Sequence, residues 1–513
     1  MSCGVYFISE ITNNAIIGKS SNFFAIGGDS IAAINLVSVC RQAGYSLLVG
    51  DVLKHGTLEK IATRMKDSKT KKNISLAAER IYKPPQSIQS AMQTAGLSEV
   101  DVEYIYPCPA GQSEWLTQGD LVSQNWVVVA ARPFPAEHDV VAYQELIKRL
   151  TSVNDILRTT FTRLSNHGWV GVVLREPVVD FLTLACDSET RESVLNSIQA
   201  HKFAFGQPFI RYILLAYPDG ARELVIKASH GLWDGTSLRI FDQLMLELQE
   251  GITSPKNTEF KDFIFNEWRQ DKSPSLEFWK SLLVTKQDPY PAARNPAVNA
   301  VCHQDIDIKT EIDNAANSCG VTPAIVFQGI YQLCLRVMSG HVDAEYDYLL
   351  AGRNVDVPNP QTINGVCANF LPFRVGVDLQ SDLKSYLADT QDFFWKATEH
   401  GDVSMDDAYA AAGLGREEKG NNSLFIFQPF DKPTGPPRKD MRWIVLALSE
   451  GRMRQPYALV EEISKTLSGY RLTIKFDDTF ITPEEARGFA EHQIALIKKI
   501  VKADMNMKLS DLL

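Results

Sequence analysis

One run of sequence, RELVIKASHGLWDGTSLRIFDQLMLELQ over residues 222–249, restricts the fold more than any other. Leu224, Val225 and Ile226 form a strand core, and Leu238, Phe241, Leu244 and Leu248 recur at helical spacing. A strand therefore passes into an amphipathic helix through SHGLWDGTS, which predicts an α/β architecture. A loop held between two rigid elements is also where such folds keep reactive groups within reach of substrate. His230 is the candidate general base or proton-transfer group, because imidazole exchanges protons near neutrality. Asp234 either holds the loop in shape or pairs with an arginine, and Gly235 lets the backbone approach closely. The same residues fit a plainer role. His230 would then be a packed strand residue on the face of Leu224, Ile226 and Ala228, bonded to backbone, and Asp234 a turn residue.

At 513 residues the chain exceeds a single ordinary core, and roughly two to four domains are expected. Up to about residue 66 the sequence reads as a small helical unit. It has a main helix after Asp29, a short one through GDVLKH and a third through TLEKIATRM with Thr57 as its cap. The polar stretch KDSKTKKNISLAAERIYKPPQS, with four lysines early and Pro84–Pro85 late, behaves as a linker. Beyond it, strands such as NWVVVAAR and RYILLAY alternate with helices such as AYQELIKRL, in two comparable halves meeting near KSPSLEFWK. A helix through PEEARGFAEHQIALIKKIV precedes the tail KLSDLL.

The formal net charge of −10 argues against nucleic acid and against anionic membrane surfaces as partners. With no apolar run of 18 residues and no signal-peptide pattern at the N-terminus, a cytoplasmic location is expected. The eight cysteines form no C-x-x-C pair, so neither a metal site nor a disulfide framework is predicted, and the thiols should be free and mostly buried.

The second informative stretch is FFAIGGDSIAAINL, residues 23–36. Gly27 and Gly28 make a tight turn, Asp29 caps a helix, and Ile31, Ile34 and Val37 lead at helical spacing toward Gly44, which can end it. Ser30 sits in the first turn of that helix. It either fills the turn or presents its hydroxyl at a positive helix end.

FFAIGGDSIAAINL resembles the phosphopantetheine attachment site of peptidyl carrier proteins, and SHGLWDG resembles the HHxxxDG signature of nonribosomal peptide synthetase condensation domains. Further stretches resemble that family's motifs in the same order: YPCPAGQSEWL (106–116), NDILRTTF (154–161), FKDFIFNEW with LEFWKSLL, AGRN (351–354), NGVCANFLPFR (364–374) and HGDVSMDDAY (400–409). The resemblance implies a small all-α four-helix carrier bundle followed by an α/β V-shaped pair of chloramphenicol-acetyltransferase-like lobes with a tunnel between them. Its expected divisions are a carrier over 1–68, a linker over 69–98, an N-terminal lobe over 99–270 and a C-terminal lobe over 271–513.

On this resemblance Ser30 carries a covalent 4′-phosphopantetheine, installed by a phosphopantetheinyl transferase. The arm delivers a peptidyl thioester, built by upstream synthetase modules, to His230. His230 would accept a proton or orient the nucleophile, Asp234 would pair with Arg353, and a backbone N–H near Gly235 would bind the oxyanion. Ser237 would bond the loop or the substrate, or serve as a helix-cap residue. Two departures bear on function. Ser229 replaces the first histidine of the signature, as in terminal condensation domains of fungal synthetases that release a peptide by cyclisation. Only 29 residues precede Ser30, so the first carrier helix looks truncated, as in a fragment of a larger synthetase. The leading expectation is thus a cyclising release domain, reinforced by the lack of a carrier after KLSDLL. The alternatives are an ordinary condensation domain working with an acceptor on another carrier, and a non-catalytic module that only docks carriers.

Overall fold

The computed structural model describes residues 18–21, 23, 33, 36–37, 39–40, 43–47, 50–52, 56–67, 82–119, 124–252, 259–284, 288–355, 357, 359–415, 418–419, 421–431, 452–466 and 468–513. The fold is α/β with two principal sheets, one built mainly from each half of the chain.

The first sheet has five strands in the spatial order Arg452–Met453, Val127–Pro133, Arg222–Ser229, Ile210–Ala216 and Asp180–Ala185, antiparallel except for the last pair. The expected strand core Leu224–Ile226 lies in the middle strand, buried on both faces. A smaller sheet of Val102–Pro107, Gly168–Leu174 and Thr159–Leu164 stands beside it. The six strands of the second principal sheet run Ala300–Ile306, Tyr470–Phe476, Leu459–Lys465, Ser423–Asp431, Asp343–Leu350 and Asn369–Gly376.

The two halves are not independent. Arg452–Met453, from the second half, adds an edge strand to the first sheet against Val128 and Val129, and Trp126 N–H donates to the Arg454 carbonyl at 2.8 Å. One continuous buried apolar cluster runs from Tyr106 to Leu512 through both halves. This crossing strand places a second-half segment against Val127–Pro133, the neighbour of the strand that leads into His230.

Helices follow the apolar spacing that predicts them. Gly235–Gln249 buries Leu238, Phe241, Leu244, Met245 and Leu248, and Asp234 caps it by accepting from the N–H groups of Thr236 and Ser237. Pro483–Ile500 begins with a capping box in which Thr482 and Glu485 satisfy each other's backbone N–H. No single helix among the described residues is long and apolar enough to cross a membrane. The bent pair Lys309–Cys319 and Pro323–Ser339 comes nearest by composition, and both helices place residues in the buried core.

Two expectations need correction. The end of the stretch expected to be linker, 69–98, folds as the helix Ser87–Thr94, whose Ile88 and Met92 pack on Val102, Leu164, Val170 and Val172. Polar residues between those apolar positions obscure a short i, i+4 stripe. Thr57 does stand at the start of the helix Leu58–Arg64, but its hydroxyl caps nothing. The first helical N–H groups, of Leu58 and Glu59, are instead taken by the Ser21 and Lys19 carbonyls.

In the carrier segment, Phe23, Ala33, Leu36, Val37, Cys40, Leu47, Val52, Leu58 and Ile61 form a separate buried cluster. Gly44 adopts φ +87°, as a helix-ending glycine should. Gly27, Gly28, Asp29, Ser30, Ile31 and Ile34 lie outside the described residues. The cluster is completed by Trp395 of the helix Leu383–Glu399, and the Trp395 Cβ lies 3.5 Å from where a Cβ on Gly50 would stand. Seven of the eight cysteines are described; all seven are free and five are buried.

Candidate active site

The strand Arg222–Ser229 ends in a single 3₁₀ turn, His230–Leu232. Ser229 Oγ accepts from Gly231 N–H at 3.2 Å and so caps this turn, and His230 N–H donates to the Trp126 carbonyl at 2.8 Å. Gly231 is needed for space: a Cβ there would lie 2.7 Å from Leu116 Cδ2, while its carbonyl accepts from Gln112 Nε2 at 2.8 Å. The helix carrying Leu116 and Gln112, Ala110–Gln118, is thereby pressed against the turn.

That contact brings Trp115 onto the catalytic candidate. The His230 imidazole is stacked between two indoles, Trp115 at 4.3 Å with planes 19° apart and Trp233 at 3.8 Å and 24°. Trp126 meets it edge-on at 5.8 Å and 82°. The residue is only 8% exposed, and its Nδ1 is buried without a hydrogen bond among the described residues. Burial disfavours the imidazolium and brings its pKa down to about 4; the nearby backbone of His230 and Trp233 and the Asp234 carboxylate offset this only in part. At neutral pH the ring is an uncharged base.

Asp234 is 3% exposed and Arg353 1%. Arg353 Nη2 donates to both Asp234 oxygens, at 2.9 and 3.0 Å. The carboxylate also accepts from Thr236 N–H (3.0 Å), Ser237 N–H (2.8 Å), Ser237 Oγ (3.0 Å), Cys367 N–H (2.9 Å) and Ala368 N–H (3.3 Å). Burial pushes the Asp234 pKa up, but the guanidinium and the N–H donors outweigh it and leave the carboxyl below its ordinary value. Arg353 Nη1 also donates to the carbonyls of Pro360 and Ile363 and Nη2 to that of Gly365, while its Nε is buried with no partner among the described residues. It reaches the pocket because Gly352, at φ +66°, passes so close to the Cys367 carbonyl that no Cβ would fit. Asp234 thus ties the histidine loop to segment 363–368 of the second half. Among the described residues no hydrogen bond joins it to His230, which it affects only through its charge.

Ser237 is fully buried, and its one hydroxyl proton has two acceptors within reach, the Gly365 carbonyl at 2.6 Å and Asp234 at 3.0 Å, both of them within the loop contacts. Gly235 opens the helix Gly235–Gln249. A Cβ on it would meet only Gln428 Oε1, at 3.4 Å, so no described protein neighbour requires glycine there. Its N–H is the one in the first helical turn that neither Asp234 nor another described residue takes. Among the described residues no group of three or more His, Cys, Asp or Glu side chains could hold a metal ion. The residues missed from sequence are Trp115, Trp126, Trp233 and Gln112. Gln112, Trp115 and Trp233 sit inside the quoted motifs, but helical and strand spacing mark the tryptophans only as core.

A family model described as the condensation domain matches residues 113–512, and one described as the phosphopantetheine attachment site matches residues 8–65, a span that contains Ser30. Among curated relatives, the nonribosomal peptide synthetase sidE of Aspergillus fumigatus is 40% identical over 493 residues, 94% of this chain and 23% of the relative. Nonribosomal peptide synthetase 7 of the same organism is 37% identical over 482 residues, 92% of this chain and 20% of that protein. The chain therefore spans about a quarter or less of the length of these relatives. Among solved structures, the condensation domain from the Monacolin K polyketide synthase MokA superimposes with a TM-score of 0.61 at 16% identity, covering 80% of this chain and all of that one. The structure described as holo T3CT gives 0.62 at 18% identity, covering 84% and 99%. These two likenesses establish the fold. The family models cover most of the sequence, and the chain belongs to the condensation-domain family, joined at its N-terminal side to a phosphopantetheine-attachment carrier domain.

Proposed function

We propose that this protein transfers an acyl or peptidyl group from its carrier to a nucleophile on the same chain of substrate, releasing a ring. A phosphopantetheine arm on Ser30 would supply the acyl group as a thioester. The observation that carries the acyl-transfer part is the state of His230: an uncharged imidazole, held by a loop that Asp234 and Arg353 lock across the two halves.

His230 takes the proton from the attacking amine as the nitrogen adds to the thioester carbonyl. A C–N bond forms, the C–S bond breaks, and the thiol leaves with the proton passed on through His230. The N–H of Gly235, which no described residue takes, is the candidate donor to the oxyanion. The dry surroundings of the ring disfavour hydrolysis.

Cyclisation rests on Ser229. In place of the first signature histidine stands a hydroxyl occupied in capping the turn, the form that resembles cyclising domains of fungal synthetases. An intramolecular nucleophile also needs no second carrier, and tethering reaches effective molarities of about 10⁵–10⁸ M in favourable cases.

The test is to load Ser30 with a candidate peptidyl pantetheine and identify the product by mass spectrometry. A ring formed without added acceptor supports release by cyclisation. Product only when a separate aminoacyl carrier is supplied supports ordinary condensation, and no turnover beyond that of His230→Ala supports a docking module.

A further inference from the structure

We infer that Trp115 and Trp233 form an indole clamp that fixes the plane of the His230 ring and stabilises the positive charge the ring gains when it takes a proton. Both tryptophans are then positioning residues of the reaction. The inference rests on the reading of His230 as the proton acceptor.

The geometry carries the argument. Both faces of the imidazole are covered by indole faces, at 4.3 and 3.8 Å and nearly parallel, and Trp126 closes one edge. Rotation of the ring about its Cβ–Cγ bond would drive it into one indole or the other. The two clamp residues come from different elements, the helix Ala110–Gln118 and the loop before Asp234. Trp115 also meets Phe370 edge-on at 5.1 Å.

An apolar sleeve alone would only make the imidazolium costly. An indole face differs, because its quadrupole attracts a cation, and Trp is the strongest of the aromatic side chains in this respect. The clamp therefore keeps water away while offering the one kind of apolar surface that tolerates charge. A second observation points the same way. The indole N–H groups of both Trp115 and Trp233 are buried with no hydrogen-bond partner among the described residues. A buried donor without a partner is a cost that the indoles carry here.

Few other charges face the ring. Asp234 lies on its own loop and is neutralised by Arg353, with the Cys367 thiol beside that pair. Glu114, on the Trp115 helix, bonds Gln118, which in turn accepts from Trp126 Nε1. Tyr457 lies beyond Trp126.

The test uses the full chain with histidine labelled in its ring carbons, His230→Gln identifying the His230 resonance. In the wild type the His230 ring proton should lie upfield of a solvent-exposed histidine because two ring currents act on it; a resonance at the exposed position overturns the clamp without any further variant. Trp233→Leu keeps the site apolar but removes one face. It should lower the His230 titration midpoint by about 0.4–1.5 pH units and kcat by about 2- to 30-fold. Trp233→Phe, which keeps a weaker aromatic face, should fall between wild type and Trp233→Leu in midpoint and in kcat. An unchanged midpoint in Trp233→Leu refutes the charge-stabilising role. If His230→Ala retains full activity while the midpoint moves as stated, the clamp stands and the catalytic reading of His230 fails.

Discussion

Two buried carboxyl groups in this protein have opposite fates. Asp234, where the halves meet, faces a guanidinium, four backbone N–H groups and a serine hydroxyl, and stays ionised. Glu461, on the strand Leu459–Lys465 inside the second half, is 0% exposed and receives one hydrogen bond, from Gln493, while its Oε1 has none among the described residues. Burial pushes its pKa up to about 8, so it is largely protonated at neutral pH. Burial is common to both, and what separates them is the number and charge of the donors. The same logic explains His230, which is buried with few polar partners and so stays neutral. The site thus places one group that must keep its charge beside one that must be free to gain it.

The largest effect is expected from breaking the charged side of this comparison. Asp234→Ala should cost about 3–5 kcal/mol in urea unfolding, because Arg353 is left buried and unpaired, and it should abolish activity by releasing the loop. The double variant Asp234→Leu/Arg353→Met should lose less stability than either single change; a double variant as unstable as the sum would contradict the pairing.

Next is the neutral acid. With a folded pKa of about 8 against 4.5 unfolded, Glu461 contributes stability that is fully present below pH 4.5 and is lost as pH rises through 8, on the order of 5 kcal/mol. Glu461→Gln should remove that slope between pH 4.5 and 8 in denaturation curves measured across the range.

His230 runs the other way. Its folded pKa, about 4, lies below the unfolded value of 6.5, so the unfolded chain binds the proton first. Stability that is complete above pH 6.5 should be lost as pH falls through 4, by about 3 kcal/mol, and His230→Gln should flatten this acid limb.

The smallest effect concerns a different border. Trp395 lends a side chain, 7% exposed, to the carrier cluster, and the carboxylate of Asp51 adds to the burial that raises the Glu399 pKa. Trp395→Ala should loosen the carrier segment by about 1–2 kcal/mol, seen as faster hydrogen exchange in residues 18–67 with the condensation halves unchanged.

The strand–loop–helix around His230 could be read from sequence because period-2 and helical spacings meet there, and Asp234 could be read as a cap residue. Its pairing with Arg353, 119 positions away, came from motif resemblance alone, since no local spacing connects them. Trp115 and Trp233 escaped notice because an aromatic residue at a core spacing looks like packing until its neighbour is known. Glu461 carried a signal that was not used: alternation puts it on the face of Leu459 and Ile463, where a charge does not belong. The carrier's dependence on Trp395 had no sequence signature, because the missing core residue comes from more than 300 positions further along the chain.

The central claim is that His230, held neutral in a locked loop, takes the proton during acyl transfer. It is tested most directly by single-turnover release of a peptidyl group preloaded on Ser30, comparing wild type with a folded His230→Ala variant. A fall of about 10²- to 10⁴-fold is the predicted result for loss of a general base. Rates within twofold of each other would contradict the account.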